Sequence, residues 1–118
     1  GIFGYPLRSP YVAAKWGIIG LTKSWAMELG ADGVRVNAIC PGSVSGPRMD
    51  GVIDREAAAT GVSPQSVRTG YENQVSMKTF IDATDIAAAA VFLSSPAARF
   101  ITMKTLTVKL VTVILMAA

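Results

Sequence analysis

Apolar side chains recur through residues 11–29 at Val12, Trp16, Ile18, Ile19, Leu21, Trp25 and Met27, with charges at Lys15, Lys23 and Glu28. No proline interrupts the run, and its spacing predicts a helix. These apolar positions do not fall on one stripe, and a helix hydrophobic nearly all round is buried on two sides. One side is expected against a sheet and the other against a second subunit. Ser9-Pro10 reads as the start, with the serine accepting from free amides and the proline suited to the first helical position. The Gly-Ala-Asp-Gly stretch at 30–33 reads as the end. Gly17 and Gly20 each cost about 1 kcal/mol relative to alanine. They are either neutral or mark close approach by another backbone or a ligand.

Residues 34–40 (VRVNAIC) first alternate and then turn fully apolar, as in a buried central strand. Pro41-Gly42 ends it, and residues 41–51 read as a loop rich in Gly, Ser and Pro. Two short helices follow at 52–59 and 64–75, separated by Thr60-Gly61, with Ser63 capping the second. A further helix is predicted at 82–93, capped by Asp82 or Thr84 and closed by Ser94-Ser95-Pro96. Residues 105–115 are rich in β-branched side chains and read as a strand. The closing strand-helix-strand portion predicts a right-handed βαβ unit with parallel strands. Each of only two strands would keep an unpaired edge, which invites association. Residues 110–116, uncharged and without proline, would be an aggregation hazard if exposed.

The 118 residues, 51% hydrophobic, suffice for one small domain, with no repeat and no second domain. Its first residue is Gly, and residues 1–11 lack the basic flank and apolar run of a signal peptide. There is no histidine and one cysteine, Cys40. Within this chain that excludes a Ser-His-acid triad, a Cys-His dyad, nearly every zinc site and an intrachain disulfide. Acid–base chemistry must then use a carboxylate, Lys or Tyr. Asp50, Asp54 and Glu56 read as a solvated helix face, with no metal site expected. Cys40 reads as a buried small hydrophobe, and a lone thiol fits a reducing, cytoplasmic setting. The net charge of +3 is mild, and its scattered Lys and Arg without interleaved aromatics give no nucleic-acid footprint. The imbalance becomes local after Asp85, the last acid, where Arg99, Lys104 and Lys109 follow. The apolar tail is too short to span a bilayer.

Tyr11 and Lys15 lie four residues apart, on one face of the predicted helix. A phenol is a poor base near neutrality, but a neighbouring ammonium favours its phenolate. Such a tyrosine can exchange a proton with an alcohol or carbonyl oxygen while a hydride moves elsewhere. The plain alternative is a core tyrosine in the first turn and a snorkelling surface lysine.

The run from Tyr11-Val-Ala-Ala-Lys15 through Lys23, then Glu28-Leu-Gly and Val34-Arg-Val-Asn-Ala-Ile-Cys-Pro-Gly42, resembles the short-chain dehydrogenase/reductase family. Asp85-Ile-Ala-Ala-Ala-Ala-Val-Phe-Leu-Ser94 resembles that family's last helix, and the likeness covers about residues 1–108. It implies an α/β fold: a partial Rossmann-like doubly wound fold, with the C-terminal βαβ portion plus the catalytic helix. It also implies a C-terminal part of an oxidoreductase that interconverts an alcohol and a carbonyl on a small molecule, with NAD or NADP as cofactor. Tyr11 would be the acid/base, with Lys15 favouring its phenolate and bonding the nicotinamide ribose. Pro41 and Gly42 match the turn after the family's sixth strand, where the backbone at Val44 would meet the nicotinamide carboxamide. Residues 47–78 resemble the mobile substrate lid. A homo-oligomer through the 10–30 helix is implied too.

Three departures qualify the likeness. Gly46 stands where many members have a cofactor-touching threonine, leaving Ser43 and Ser45 as the nearby hydroxyls. No Gly-rich turn precedes Tyr11, and the serine that orients the substrate oxygen would lie before Gly1, so the chain by itself is expected to be inactive. Residues 109–118 form a divergent apolar tail in place of the family's Val-Asp-Gly-Gly-like turn. Within the lid, Arg48 is either an anion ligand or a solvated loop arginine. Met49, Val52 and Ile53 either line a pocket or pack inside. Two rival readings are a non-catalytic assembly module and, more remotely, a membrane-surface protein held by the tail.

Overall fold

The computed structural model describes residues 4, 8–75 and 77–117, the stretch 108–117 by its backbone alone. The expectations for the first seven residues and for the last residue of the tail fall mostly outside this range.

Helix α1 (Ser9–Glu28) packs on the sheet through Ile19, Thr22 and Ala26. Its start is one residue earlier than the Ser9 cap predicts. Arg8 is the N-cap, its carbonyl accepts from Val12 N–H at 3.0 Å, and Ser9-Pro10 fill the first two helical positions. Proline fits there because those amides have no intrahelical acceptor. A 3-10 turn at Gly30–Asp32 follows, and Gly33 at φ +78° reverses the chain in a conformation that favours glycine. Among the described residues, a Cβ placed at Gly17 or Gly20 would meet nothing within 4 Å, so none of them makes a close approach there.

Strand β1 (Arg35–Pro41) is buried at every position after Arg35, as its apolar run requires. Asn37 is the polar exception. Its amide donates to Ile101 O at 2.8 Å and its carbonyl accepts from Lys104 N–H at 3.1 Å. It thereby pins the segment that leads into β2 (Thr105–Ala117). Helix α2 (Pro47–Thr60) begins well before the predicted residue 52, because Pro47 opens a helix after Gly46. Helix α3 (Pro64–Asn73) starts at Ser63, whose hydroxyl accepts from Ser66 N–H at 3.2 Å as expected. Helix α4 (Ala83–Ser94) has Asp82 at its N-cap, whose N–H donates to the Asp85 carboxylate at 2.9 Å.

The β1–β2 ladder differs from the simple parallel pair predicted. As a whole it is antiparallel, carried by Arg35↔Ala117, Val36↔Met116, Asn37↔Leu115, Ala38↔Ile114 and Ile39↔Val113. The first residues of β2 nevertheless run with β1, pairing Ala38↔Thr105, Ile39↔Leu106, Cys40↔Thr107 and Pro41↔Val108. Ala38 and Ile39 each have two partners, and a strand has two edges. Strand β2 therefore crosses from one edge of β1 to the other near the Pro41 end. This corrects the expectation of an unpaired edge on β1: the tail itself supplies the second ladder, satisfying backbone groups that would otherwise be bare. The parallel part, reached through α4, is the predicted βαβ portion, and the architecture is a partial Rossmann-like fold. Among the described residues no helix is long and apolar enough to cross a membrane.

Candidate active site

Tyr11 stands in the first turn of α1, and Lys15 follows one turn later on the same face. Continuing by helical steps, Ile19, Thr22 and Ala26 form the buried stripe that rests on the sheet. The pair is thus the N-terminal extension of the sheet-facing stripe. The Lys15 ammonium lies 5.7 Å from the centre of the Tyr11 ring, within cation–π range. Lys15 is half-buried and Tyr11 is 39% exposed, so the phenol remains open to a ligand.

A short connection joins the end of α1 to the start of β1, and α1 packs against β1. Helix α1 therefore runs back along the strand, which brings its first turn toward the end where β1 finishes at Pro41. That end continues as Gly42, Ser43 and Val44. Val44 forms a parallel bridge with Ile81, in which Ser45 N–H donates to Ile81 O at 2.8 Å and Ile81 N–H donates to Ser43 O at 3.1 Å. Bridge bonds to one side come from the residues flanking Val44, so its own N–H and C=O point to the opposite side. A donor and an acceptor side by side on one extended residue are what a flat carboxamide requires. Pro41 is buried, and Gly42 and Val44 are half-buried.

The lid-like segment is built as a unit. Ile53, Ala57 and Val67 form its core, with Met49, Tyr71 and Phe80 packed against it. Met49 and Ile53 thus pack inside. Tyr71 Oη donates to Glu56 at 2.7 Å, Arg68 pairs with Asp50, and the Arg68 guanidinium lies 5.0 Å over the Phe80 ring. The solvated acidic face is therefore partly engaged with α3. Arg48 is exposed in the first turn of α2. No group of acidic or cysteine side chains among the described residues can hold a metal ion. Cys40 is fully buried.

Two buried polar residues escaped the sequence reading. Thr22, in the middle of the α1 stripe, donates its hydroxyl to Ile18 O at 2.9 Å. Asn37 was legible only as a lone amide in an apolar strand, and that signal does not reveal which distant segment it ties.

A family model described as Enoyl-(Acyl carrier protein) reductase matches residues 1–109. D-beta-hydroxybutyrate dehydrogenase of Rhizobium meliloti (strain 1021) is 38% identical over 107 residues, which is 86% of this chain and 40% of the relative. Among solved structures, the F189W actinorhodin polyketide ketoreductase with NADPH superposes at TM-score 0.82 and 29% identity, covering 91% of this chain and 41% of the other. NAD+-bound xylitol dehydrogenase superposes at TM-score 0.82 and 27% identity, covering 92% and 44%. The chain thus spans less than half the length of each of these three proteins.

Proposed function

Because the chain belongs to the short-chain dehydrogenase/reductase family, we propose that it is the C-terminal part of an NAD(P)-dependent oxidoreductase acting on a small alcohol or carbonyl compound. The observation that carries this reading is the Tyr11–Lys15 pair, held one helical turn apart with the ammonium beside the ring. The residues present fit the nicotinamide end of a dinucleotide. Val44 offers a backbone donor and acceptor, while Pro41 and Gly42 keep the approach free of bulky side chains. They do not fit the pyrophosphate end, because no Gly-rich strand-to-helix turn occurs ahead of Tyr11.

When bound, the cofactor supplies or accepts the hydride at the carbinol carbon. Tyr11 Oη gives a proton to the carbonyl oxygen during reduction and takes it back from the alcohol during oxidation. The Lys15 ammonium, 5.7 Å from the centre of the Tyr11 ring, can donate to a ribose hydroxyl. The lid closes over substrate, with its own core keeping it in one piece. The 118 residues alone do not turn over, since they lack both the phosphate grip and the substrate-orienting serine. A reducing, cytoplasmic setting suits a chain whose one cysteine, Cys40, is buried.

The test is a chimera in which the missing N-terminal part comes from the Rhizobium meliloti relative. It is expected to oxidise NADH or NADPH with a carbonyl substrate, and Tyr11→Phe should lower kcat at least 100-fold, within the usual range for a lost acid/base. A Tyr11→Phe chimera as active as its parent would refute the assignment.

Assembly is a second property of the same reading, favoured by one observation. Trp16, Leu21 and Met27 on α1 are 50%, 45% and 72% exposed. Large apolar side chains left exposed on a helix already packed on one side favour an interface, and we propose a homo-oligomer through residues 10–30. Sedimentation at micromolar concentration should show a species larger than a monomer.

A further inference from the structure

A second cluster of functional groups lies at the other end of β1. A cleft of about 270 Å³ is lined by Gly33, Arg35, Ser94, Ser95, Pro96 and Arg99. From Arg35 to Pro41 the strand rises by about 3.3 Å per residue, which sets this cleft about 20 Å from the Pro41 end. It shares no residue with the candidate active site.

Two guanidinium groups face one cleft, and no acidic side chain lines it. Neither arginine has a carboxylate partner among the described residues, where the ion pair formed is Arg68–Asp50. Each makes one contact of its own. Arg35 commits one Nη1–H to Ile101 O at 3.2 Å, which leaves most of the five guanidinium N–H groups for another acceptor. The Arg99 guanidinium lies 5.0 Å over the Phe100 ring. Stacking uses the face of the guanidinium and leaves its in-plane donors directed outward. Ser94, exposed at the rim, adds a hydroxyl, while Ser95 donates its own to Phe92 O at 2.7 Å. Gly33, held at φ +78°, puts no side chain into the space.

The local charge points the same way. The last acid in the sequence is Asp85, so the stretch that closes this cleft carries positive charge only. Two adjacent cations repel unless something negative lies between them. A tetrahedral dianion with several acceptor oxygens meets both forks, whereas a single carboxylate neutralises one. The volume is several times the roughly 30 Å³ that one water occupies in the liquid, so a phosphate enters with part of its hydration or with a substituent attached.

We propose that Arg35 and Arg99 form a binding site for a phosphate dianion, free or as the terminal group of a monoester, at the end of β1 remote from the Tyr11–Lys15 pair. The site needs no dinucleotide and does not depend on the chain being catalytic.

The test is a titration of the 118-residue chain with inorganic phosphate at constant ionic strength, following arginine Nε–Hε resonances by NMR. Saturable shifts confined to Arg35 and Arg99 are expected. Arg99→Ala, at an exposed position, should raise the dissociation constant at least tenfold, whereas Arg68→Ala should change it less than twofold. Phenyl phosphate in a parallel titration separates the sources. Tighter binding than inorganic phosphate identifies a phosphate carried on a larger molecule, and weaker binding identifies the free ion. Shifts that fail to saturate, that acetate reproduces at the same concentration, or that survive Arg99→Ala would overturn the proposal.

Discussion

The lid-like pair α2–α3 and the sheet with its helices α1 and α4 satisfy their apolar residues in opposite ways. The lid closes on itself: Ile53, Ala57 and Val67 meet each other, and the Glu56–Tyr71 and Asp50–Arg68 contacts span only 15 and 18 residues. The sheet layer depends on ties between residues more than 60 apart, such as Asn37 to Ile101 and Lys104. It also leaves Trp16 and Met27 on α1, and Val91 and Phe92 on α4, substantially exposed. A unit with a local core stays folded by its own contacts. A layer tied over long stretches of sequence is stable only with its neighbours in place.

The two tryptophans, Trp16 and Trp25, both lie in α1, so their fluorescence reports the sheet layer and not the lid. Ile53→Ala should have the largest effect, about 3 kcal/mol from lost burial and a cavity. It should abolish amide-exchange protection in α2 and α3 while leaving the tryptophan emission unchanged, and a shifted emission would show that the two regions are coupled. Asn37→Ala should cost about 2 kcal/mol, since Lys104 N–H loses its acceptor inside the protein and Ile101 O keeps only Arg35. Urea unfolding followed by tryptophan emission should show that loss, with lid protection retained.

Trp16→Glu probes the exposed side of the sheet layer. It should leave monomer stability within about 0.5 kcal/mol, as surface changes usually do, and shift sedimentation to the monomer. Retention of the larger species would place the interface elsewhere. Arg68→Ala should have the smallest effect, about 0.5 kcal/mol, because a partly exposed ion pair and a half-buried ring contact contribute little. A loss above about 2 kcal/mol would mean that this pair, and not the apolar cluster, holds the lid.

What the sequence made legible follows the range of the interactions. Helix α4 and the start of α3 were readable because Asp82 and Ser63 act on amides within three residues. The Tyr11–Lys15 pair was readable because helical spacing alone puts the two side chains together. The start of α2 was missed because Gly46, Pro47 and Gly51 are loop-forming residues, although a proline equally opens a helix. Ser9 was read as a cap when the helix had already begun at its position. The double pairing of β1 was not legible at all. Nothing in residues 109–117 shows that they return along the second edge of a strand more than 70 positions earlier, because that choice is made by bare backbone groups and not by a side-chain pattern.

These residues include the proposed proton-transfer pair and the Val44 backbone, and no Gly-rich turn precedes Tyr11 within them. The direct measurement is titration of the 118-residue chain with NADH, which carries no phosphate monoester, following cofactor fluorescence. No saturable change is predicted up to millimolar concentration. Saturable binding of NADH in the micromolar range would contradict this, since it would place a complete dinucleotide site within these residues.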